Sequence, residues 1–216
     1  RVIDLGGVTV TVGGMAKGAG MIAPSLAPLH ATMLAFFTTD ATIDRTTLDR
    51  MLLDAVGPTF NRISVDSDTS TNDTAIVLAN GASGALPIDG PGPAYNVLRD
   101  AFREVCRDLA LMMIRDGEGV QRIAEVVVKG ARSADDALKI ARTIVDSPLV
   151  KTALHGGDPN RPGTNWQEAR RSGRCAAARR DVWGISDAAG AAASPARGAC
   201  ARRTRVVAEA SVDRPG

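Results

Sequence analysis

Short runs of β-branched and apolar residues alternate with segments of helical periodicity along the first 160 residues of this chain of 216 residues. Valine and threonine dominate 2–12, which predicts a strand interrupted by glycines, and the uniformly apolar run 33–37 predicts a second, buried strand. Apolar residues at helical spacing predict a long helix over 94–115, and Arg122–Lys129 predicts another strand. Strands that alternate with helices are typical of α/β domains. We therefore expect an α/β fold over residues 1–160.

Capping residues that precede apolar periodicity predict three further helices. One covers about 42–57, where a Thr-Ile-Asp turn begins the pattern and a Gly-Pro pair ends it. Another covers about 133–146, where Ser-Ala-Asp-Asp forms a capping box. A third is predicted over 72–80, with Ser70 or Thr71 as its cap.

The remaining segments are short. Apolar runs at 63–65 and 149–154 predict brief strands, and the glycine-rich segment 13–20 predicts a loop after the first strand. These elements keep the alternation of strands and helices up to residue 160, so the predicted domain is 1–160 and the following residues are considered separately.

Composition limits the classes of function that the chain can serve. Three cysteines lie far apart without CxxC spacing and two histidines are isolated, so the sequence predicts neither a metal site nor a disulfide framework. No apolar run is long enough to span a bilayer and no secretory signal is visible, so we expect a cytoplasmic protein without membrane contact. Because Arg1 is not a methionine, we expect the chain to be part of a longer protein.

One threonine near the N-terminus would be activated by a cut in the chain. The run GGMAKGAGMIAP at 13–24 is followed by ATML at 31–34. A threonine hydroxyl is a weak nucleophile at neutral pH, but cleavage between Ala31 and Thr32 would create an α-amine, with a pKa of roughly 7.7–8.0, that can act as its base. The residues alone leave a second interpretation open, because a threonine in an apolar segment is commonly a packing or local hydrogen-bonding residue.

Several motifs occur in the order found in one known family. They are GGMAKGAGMIAP at 13–24, ATML at 31–34, TTDA at 38–41, FNRISVDSDTSTNDT at 60–74, DGEG at 116–119, LVKTA at 149–153 and DPN at 158–160. Over roughly residues 7–160 the chain resembles the ornithine acetyltransferase, or glutamate N-acetyltransferase, family of the arginine pathway. The resemblance implies a layered α/β sandwich of the self-processing N-terminal-threonine acetyltransferase type.

The resemblance also implies a reaction. The chain would cut itself between Ala31 and Thr32, so that an α chain ends at Ala31 and a β chain begins at Thr32. Thr32 would then take an acetyl group from N-acetylornithine, hold it as an ester and give it to glutamate. No cofactor or metal is implied, and the use of acetyl-CoA as a further acetyl donor stays open. In the family, α and β chains pair into larger oligomers.

Two charged residues are implied to bind substrate together with Thr32. Lys17 matches the family's lysine that holds a substrate carboxylate. Glu118, in the DGEG turn, matches the glutamate that receives the α-ammonium group of an amino acid. Without the resemblance, a lysine on a glycine-rich turn and a glutamate between glycines are most often solvated surface residues.

The chain departs from the family's pattern at three places. The link at 26–30 between the lysine and the threonine is longer than in the family. The family's oxyanion hole comes from a Thr-Gly pair upstream of the matched region, and its C-terminal substrate-binding Asn and Thr have no match in 161–216. The alternative function is therefore an inactive fragment or pseudoenzyme that serves only as a scaffold.

Residues 161–216 differ in kind from the rest. They contain 11 arginines, no lysine and 5 acidic residues, a net charge of +6, whereas 1–160 carry a net charge of −4. Few apolar faces offset the entropy of folding, so we expect an irregular basic tail. Nucleic-acid binding is a weak alternative because no known binding motif is present. We favour an out-of-frame reading of GC-rich DNA, since this composition begins where the resemblance stops.

Overall fold

The computed structural model describes residues 1–25, 33–156 and 202–209, which belong to two compact units, Arg1–Glu118 and Gly119–Gly216. Both units combine strands with helices, so the predicted α/β class is confirmed. Among the described residues, no helix combines the length and apolar character that crossing a membrane requires.

A sheet of four strands forms the centre of the first unit. The strands are β1 (Val2–Leu5), β2 (Val8–Lys17), β3 (Leu34–Thr39) and β4 (Thr74–Ala79). Their order in the sheet is β1-β2-β3-β4, with antiparallel β1/β2 and β2/β3 pairs and a parallel β3/β4 pair. Gly6 and Gly7 join β1 to β2 with φ angles of +67° and +88°, which suit a two-residue hairpin turn and strain any residue with a Cβ.

Two helices cover one face of this sheet. The helix α1 (Arg45–Val56) begins where the Asp44 side chain accepts a hydrogen bond from Thr47 N, and α2 (Pro93–Arg115) begins with a proline. Helix α2 packs on β1 and β2, and α1 packs on α2 and β4. Between the helices, Tyr95 Oη donates a hydrogen bond of 2.9 Å to Asp54 Oδ2. Because 42–57 and 94–115 carry complete local signals, both helices were predictable.

Alternation along β3 separates the covered face from the exposed one. Phe37 is fully buried, and its ring contacts Phe60 and Phe102 with centroid distances of 6.2 and 4.9 Å. The neighbouring Phe36 is 40% exposed on the opposite face. The prediction of a strand at 33–37 is confirmed, but the expectation that its apolar run is buried on both faces is wrong, since burial alternates along β3 and the described helices cover one side. Apolar side chains on the exposed face include Met15, Phe36, Ile76 and Leu78.

The second unit pairs two parallel strands and two helices. Its elements are β5 (Arg122–Lys129), α3 (Ala134–Val145), α4 (Pro148–Gly156) and β6 (Arg202–Glu209), with β5 and β6 in register from Arg122 opposite Arg202. Ile140 and Ile144 of α3 pack against Val126 and Val128 of β5. The Ser133 side chain accepts a hydrogen bond from Asp136 N at 3.1 Å, so Ser133 is the N-cap of α3 and the start of the predicted helix is confirmed.

Four local predictions are wrong. The segment 72–80 is not a helix, because its residues form β4, which pairs with β3. The segment 149–154 is not a strand, because Ser147 Oγ accepts from Val150 N and begins helix α4. The segment 63–65 is not a strand and follows a 3₁₀ turn at Phe60–Arg62. Residues 13–17 continue strand β2 rather than a loop.

The expected irregular tail is corrected at one place. Residues Arg202–Glu209 form strand β6, and the β-branched pair Val206 and Val207 lies opposite Val126 and Val127 of β5. The predictions for the rest of 161–216 lie outside the described residues, as do Ala31 and Thr32.

A cysteine in the core gives a prediction on reactivity and pH. Cys106 is fully buried on α2, and burial raises the pKa of its thiol from 9.0 to about 12. Because the thiolate is the reactive form, iodoacetamide at pH 8.5 should leave Cys106 unmodified in the folded chain and modify it in denaturant, as read by peptide mass spectrometry.

The same shift predicts the pH dependence of stability. Above pH 9 the unfolded thiol loses its proton while the folded thiol keeps it, so stability should fall as pH rises from 9.0 towards about 12. Cys106→Ala should remove this part of the fall, measured by urea unfolding at several pH values. Equal labelling of folded and unfolded chains, or an identical pH slope in the variant, would contradict the assignment.

Candidate functional site

Lys17 lies at the end of strand β2, beside the start of β3. In the antiparallel ladder the Cα partner of Lys17 is Leu34, and Ala16 faces Ala35. The Lys17 side chain is exposed. The pairing therefore places Lys17 next to the residues that follow Thr32, although many residues separate Lys17 from Leu34 in the sequence.

Glu118 reaches the turn that follows Lys17. Its backbone N–H donates a hydrogen bond of 2.9 Å to Ala19 O. Its carboxylate lies against Gly20, because a Cβ added at Gly20 would be 3.2 Å from Glu118 Cδ and Oε2 and 3.3 Å from Oε1. The structure thus brings Lys17 and Glu118, which are far apart in sequence, to the two ends of the same turn.

Because Gly18 has no side chain, this turn can pack closely against the core. Its φ of +152° lies in the region that favours glycine, and an added Cβ would be 2.7 Å from Ile22 Cδ1 and 2.9 Å from Met113 Cε. The same Cβ would be 3.6 Å from Met33 Cα. Only glycine fits between helix α2 and the residue before β3, so the turn stays packed against the site.

Met33 is the first described residue after Thr32, and a buried carboxylate holds its backbone. Met33 is fully buried, and its N–H donates a hydrogen bond of 2.8 Å to Oδ1 of Asp73, which is 3% exposed. Met33 O accepts from Thr74 N at 2.9 Å, where the β3/β4 ladder begins. The predicted helix over 72–80 would place Asp73 in its first turn, but in the structure the Asp73 carboxylate binds the backbone at the start of β3.

Chemically, the site offers a cation, a carboxylate and the backbone that leads to the candidate nucleophile at one end of the sheet. A cation and a carboxylate in proximity suit the carboxylate and ammonium groups of an amino acid. In the part of the chain that the structure describes, no group of three or more His, Cys, Asp or Glu residues is placed to hold a metal ion. The arrangement places Lys17 and the Glu118 carboxylate on the turn 18–20, next to the start of β3.

Comparison with known proteins gives the family. The family model of the ArgJ family matches residues 1–163, and the chain belongs to this family. It is 55% identical over 157 residues to the glutamate N-acetyltransferase of Methanocaldococcus jannaschii, covering 73% of this chain and 38% of that protein. It is 47% identical over 158 residues to the arginine biosynthesis bifunctional protein ArgJ of Staphylococcus saprophyticus, covering 73% and 37%.

A solved structure supports the same assignment. The crystal structure of the arginine biosynthesis bifunctional protein ArgJ from Bacillus halodurans is similar with a TM-score of 0.60 and 29% identity, covering 81% of this chain and 87% of that chain. The curated relatives are longer, since this chain spans less than two-fifths of their length. The predicted family and the layered α/β fold are therefore confirmed.

Proposed function

We propose that this chain carries the self-processing threonine of a glutamate N-acetyltransferase, which moves an acetyl group from N-acetylornithine to glutamate. Membership of the ArgJ family and the names of the relatives support an acetyltransferase of arginine biosynthesis. The observation that carries the proposal to particular residues is the turn at 18–20, which has Lys17 at one end and the Glu118 carboxylate at the other, beside Met33.

Self-cleavage is the first proposed step. The Thr32 hydroxyl attacks the carbonyl carbon of Ala31, the C–N bond of that peptide breaks, and the hydroxyl proton passes to the nitrogen, which leaves as the neutral α-amine of Thr32. The resulting ester joins Ala31 to the Thr32 oxygen, and water hydrolyses it to a carboxylate and a free hydroxyl. The products are an α chain that ends at Ala31 and a β chain that begins at Thr32.

The cut would leave the two chains joined. Strand β2 belongs to the proposed α chain and β3 to the β chain, and they pair in register from Val12 opposite Thr39 to Lys17 opposite Leu34. Because β1 and β2 also pack on helix α2 of the β chain, the α chain stays in the core after cleavage. Lys17 would therefore remain at the site with the new N-terminus.

Acetyl transfer then proceeds in two half-reactions. The Thr32 hydroxyl attacks the acetyl carbonyl of N-acetylornithine, its proton passes to the α-amine of Thr32, and ornithine leaves as the amine that accepts a proton. The neutral α-amine of glutamate then attacks the acetyl ester, the bond between the acetyl carbon and the Thr32 oxygen breaks, and a proton passes from the attacking nitrogen through the Thr32 α-amine to that oxygen, which restores the hydroxyl. Because ornithine leaves before glutamate reacts with the acetylated Thr32, this mechanism predicts ping-pong kinetics. No cofactor is needed for this exchange, and acetyl-CoA would enter only as a second donor.

Lys17 and Glu118 are proposed to hold the amino-acid ends of both substrates. The Lys17 ammonium binds a substrate carboxylate, and the Glu118 carboxylate receives the α-ammonium group of departing ornithine or arriving glutamate. Opposite charges at the two ends of one turn select zwitterionic amino acids over simple amines or acids. Higher assembly of paired α and β chains, as in the family, is part of the proposal.

The second candidate function is that of a scaffold without turnover of its own. Production of N-acetylglutamate from N-acetylornithine and glutamate by the purified chain separates the two. Turnover would reject the scaffold, and its absence in a folded, cut chain would reject the enzyme.

Charge removal at the turn tests the substrate roles. Lys17→Met and Glu118→Gln are each expected to raise the KM for amino-acid substrates about 10- to 100-fold, because a hydrogen bond to a charged group contributes about 1.5–3 kcal/mol. Steady-state kinetics of acetyl transfer measures this. Lys139→Met and Asp89→Asn remove exposed charges elsewhere and should leave KM unchanged. An unchanged KM in Lys17→Met and in Glu118→Gln would contradict the proposed substrate-binding roles of Lys17 and Glu118.

A further inference from the structure

Asp66 holds the backbone that directly follows the turn 18–20. Its Oδ2 accepts a hydrogen bond from Met21 N at 2.5 Å, and its Oδ1 accepts from Ile22 N at 2.9 Å. Hydrogen bonds to an ionised carboxylate are roughly twice as strong as those between neutral groups. Because the two N–H groups are consecutive, Asp66 fixes the peptide planes that join Gly20 to Met21 and Met21 to Ile22.

The backbone conformation at Met21 depends on such support. Met21 has a φ of +56°, which is uncommon for a residue with a side chain. A backbone of this kind persists only where the surrounding structure favours it. Met21 is 48% exposed, so packing of its own side chain contributes only part of the stabilisation. The hydrogen bonds from Asp66 to the peptide groups on both sides of Met21 contribute the rest.

Two neighbours of Asp66 bind the same stretch of chain. Val65 N donates a hydrogen bond to Ile22 O at 2.6 Å, and Thr69 Oγ1 donates to Ala23 O at 2.9 Å. Ile22 and Ala23 are buried, at 0% and 4% exposure. The stretch 65–69, named here the clamp segment, therefore holds the chain on one side of the turn.

Glu118 lies on the other side of the same turn. Its N–H donates a hydrogen bond of 2.9 Å to Ala19 O, and a Cβ added at Gly20 would be 3.2 Å from its carboxylate carbon. Gly20 is the residue directly before Met21. A rotation of the peptide plane between Gly20 and Met21 would therefore change the backbone against which the Glu118 carboxylate packs.

We propose that Asp66 is a positioning residue for amino-acid binding, because it fixes the turn that places the Glu118 carboxylate. This inference rests on the proposed function, in which Glu118 receives the α-ammonium group of glutamate or ornithine. A binding group works best when neighbours hold it within about 0.5 Å of its productive position. The clamp segment gives this support from one side of the turn, and packing of Gly18 near Met113 gives it from the core.

Binding of glutamate to the purified chain tests this role. Asp66→Ala is expected to raise the Kd for glutamate about 5- to 10-fold, because the Glu118 carboxylate stays present but samples more positions. Asp66→Asn keeps one acceptor oxygen for two N–H groups, so its Kd should lie between those of the wild type and Asp66→Ala. NMR titration with glutamate measures each Kd.

The matched control is Asp68→Ala in the same clamp segment. It removes an exposed carboxylate and keeps the backbone N–H that donates to Asp66 Oδ1 at 3.1 Å. Its Kd for glutamate should equal that of the wild type. A wild-type Kd in Asp66→Ala, or the same rise in Asp68→Ala, would overturn the proposal.

A double variant separates positioning through Glu118 from a general loss of structure. Once Glu118→Gln has removed the charge, Asp66→Ala should have little further effect, so the double variant should bind glutamate within about 2-fold of Glu118→Gln alone. If Asp66 acted independently of Glu118, the two losses of affinity would multiply. Multiplied losses would overturn the proposal.

Amide exchange detects the position of the turn without substrate. In Asp66→Ala, the amides of Met21 and Glu118 should exchange at least about 10-fold faster, because the Glu118 N–H donates to a carbonyl of the turn. The amide of Leu98 in α2 should keep its protection, which shows that the fold is intact. Unchanged exchange at Glu118 would reject the positioning role alone, whereas a wild-type chain that binds no glutamate would reject the proposed function and this inference with it.

Discussion

Thr32→Ala is expected to leave the chain as one uncut polypeptide. Without the hydroxyl there is no group at this position to attack the Ala31 carbonyl, and uncatalysed hydrolysis of a peptide bond is too slow to replace it. The wild-type chain should give two masses, corresponding to residues 1–31 and 32–216, and the variant should give one. Intact-mass spectrometry reads both, and N-terminal sequencing of the larger product identifies its first residue.

Two further variants make this experiment specific. Thr32→Ser keeps a hydroxyl and should still be cut, whereas Thr38→Ala removes an exposed threonine from β3 and should be cut as the wild type is. A product that begins at a residue other than Thr32 would reject the proposed nucleophile. Cleavage of Thr32→Ala at the wild-type rate would attribute the cut to a contaminating protease.

Phe37→Ala should have the largest effect on stability. Removal of a fully buried phenylalanine costs about 3–5 kcal/mol, since apolar burial is lost and a cavity remains. The loss includes both ring contacts, to Phe60 and to Phe102, which join β3 to the elements packed above it. We expect the Tm of the first unit to fall by roughly 10–20 °C. Thermal and urea unfolding measure the change.

Phe36→Ala is the matched control for this prediction. It removes the same side chain from the next position of the same strand, but Phe36 is 40% exposed on the face that the helices do not cover. Its expected cost is below about 1 kcal/mol. Similar destabilisation by the two substitutions would mean that the Phe36 face is covered by another part of the protein.

The sequence predicted helices correctly where it contained both apolar residues at helical spacing and a residue that begins the helix. The long helix α2, the helix α1 with its Asp44 cap, and α3 with its Ser133 cap all combine apolar spacing with a clear beginning. In each case the residues that form the hydrogen bonds are close in sequence, so composition and order contain the information. Strand β5 was predictable for a related reason, because its run of β-branched residues favours an extended backbone.

The residues of the short apolar runs did not determine whether each run forms a helix or a strand. The run TAIVLA in β4 and the run LVKTAL in α4 are each compatible with helix or strand, and both predictions were wrong. Pairing with β3 supplies the hydrogen bonds that make the first a strand. The Ser147 cap and packing of Val150 against Ile140 and Ile144 favour a helix in the second.

The candidate site also contains residues that the sequence indicated and contacts that only the structure revealed. Lys17 and Glu118 were predicted as site residues because they lie in motifs that resemble those of a family, and their roles remain predictions. The structure adds that Ala19 and Gly20 bring both residues to one turn. Asp66 and Asp73 were not singled out as site residues, because an aspartate among serines and threonines looks like a solvated turn or cap. Their partners are distant in sequence, so no local pattern could identify them.

The sequence by itself determined which segments prefer extended or helical backbone where caps and periodicity agree, and it determined membership of the family through its ordered motifs. Only the tertiary structure decided which face of β3 is covered, which apolar runs became strands, and which carboxylates bind the backbone of Met21, Ile22 and Met33. The physical reason is the range of the interactions. Caps and helical spacing join residues a few positions apart, whereas strand pairing and the bonds of Asp66 and Asp73 join residues about forty or more positions apart.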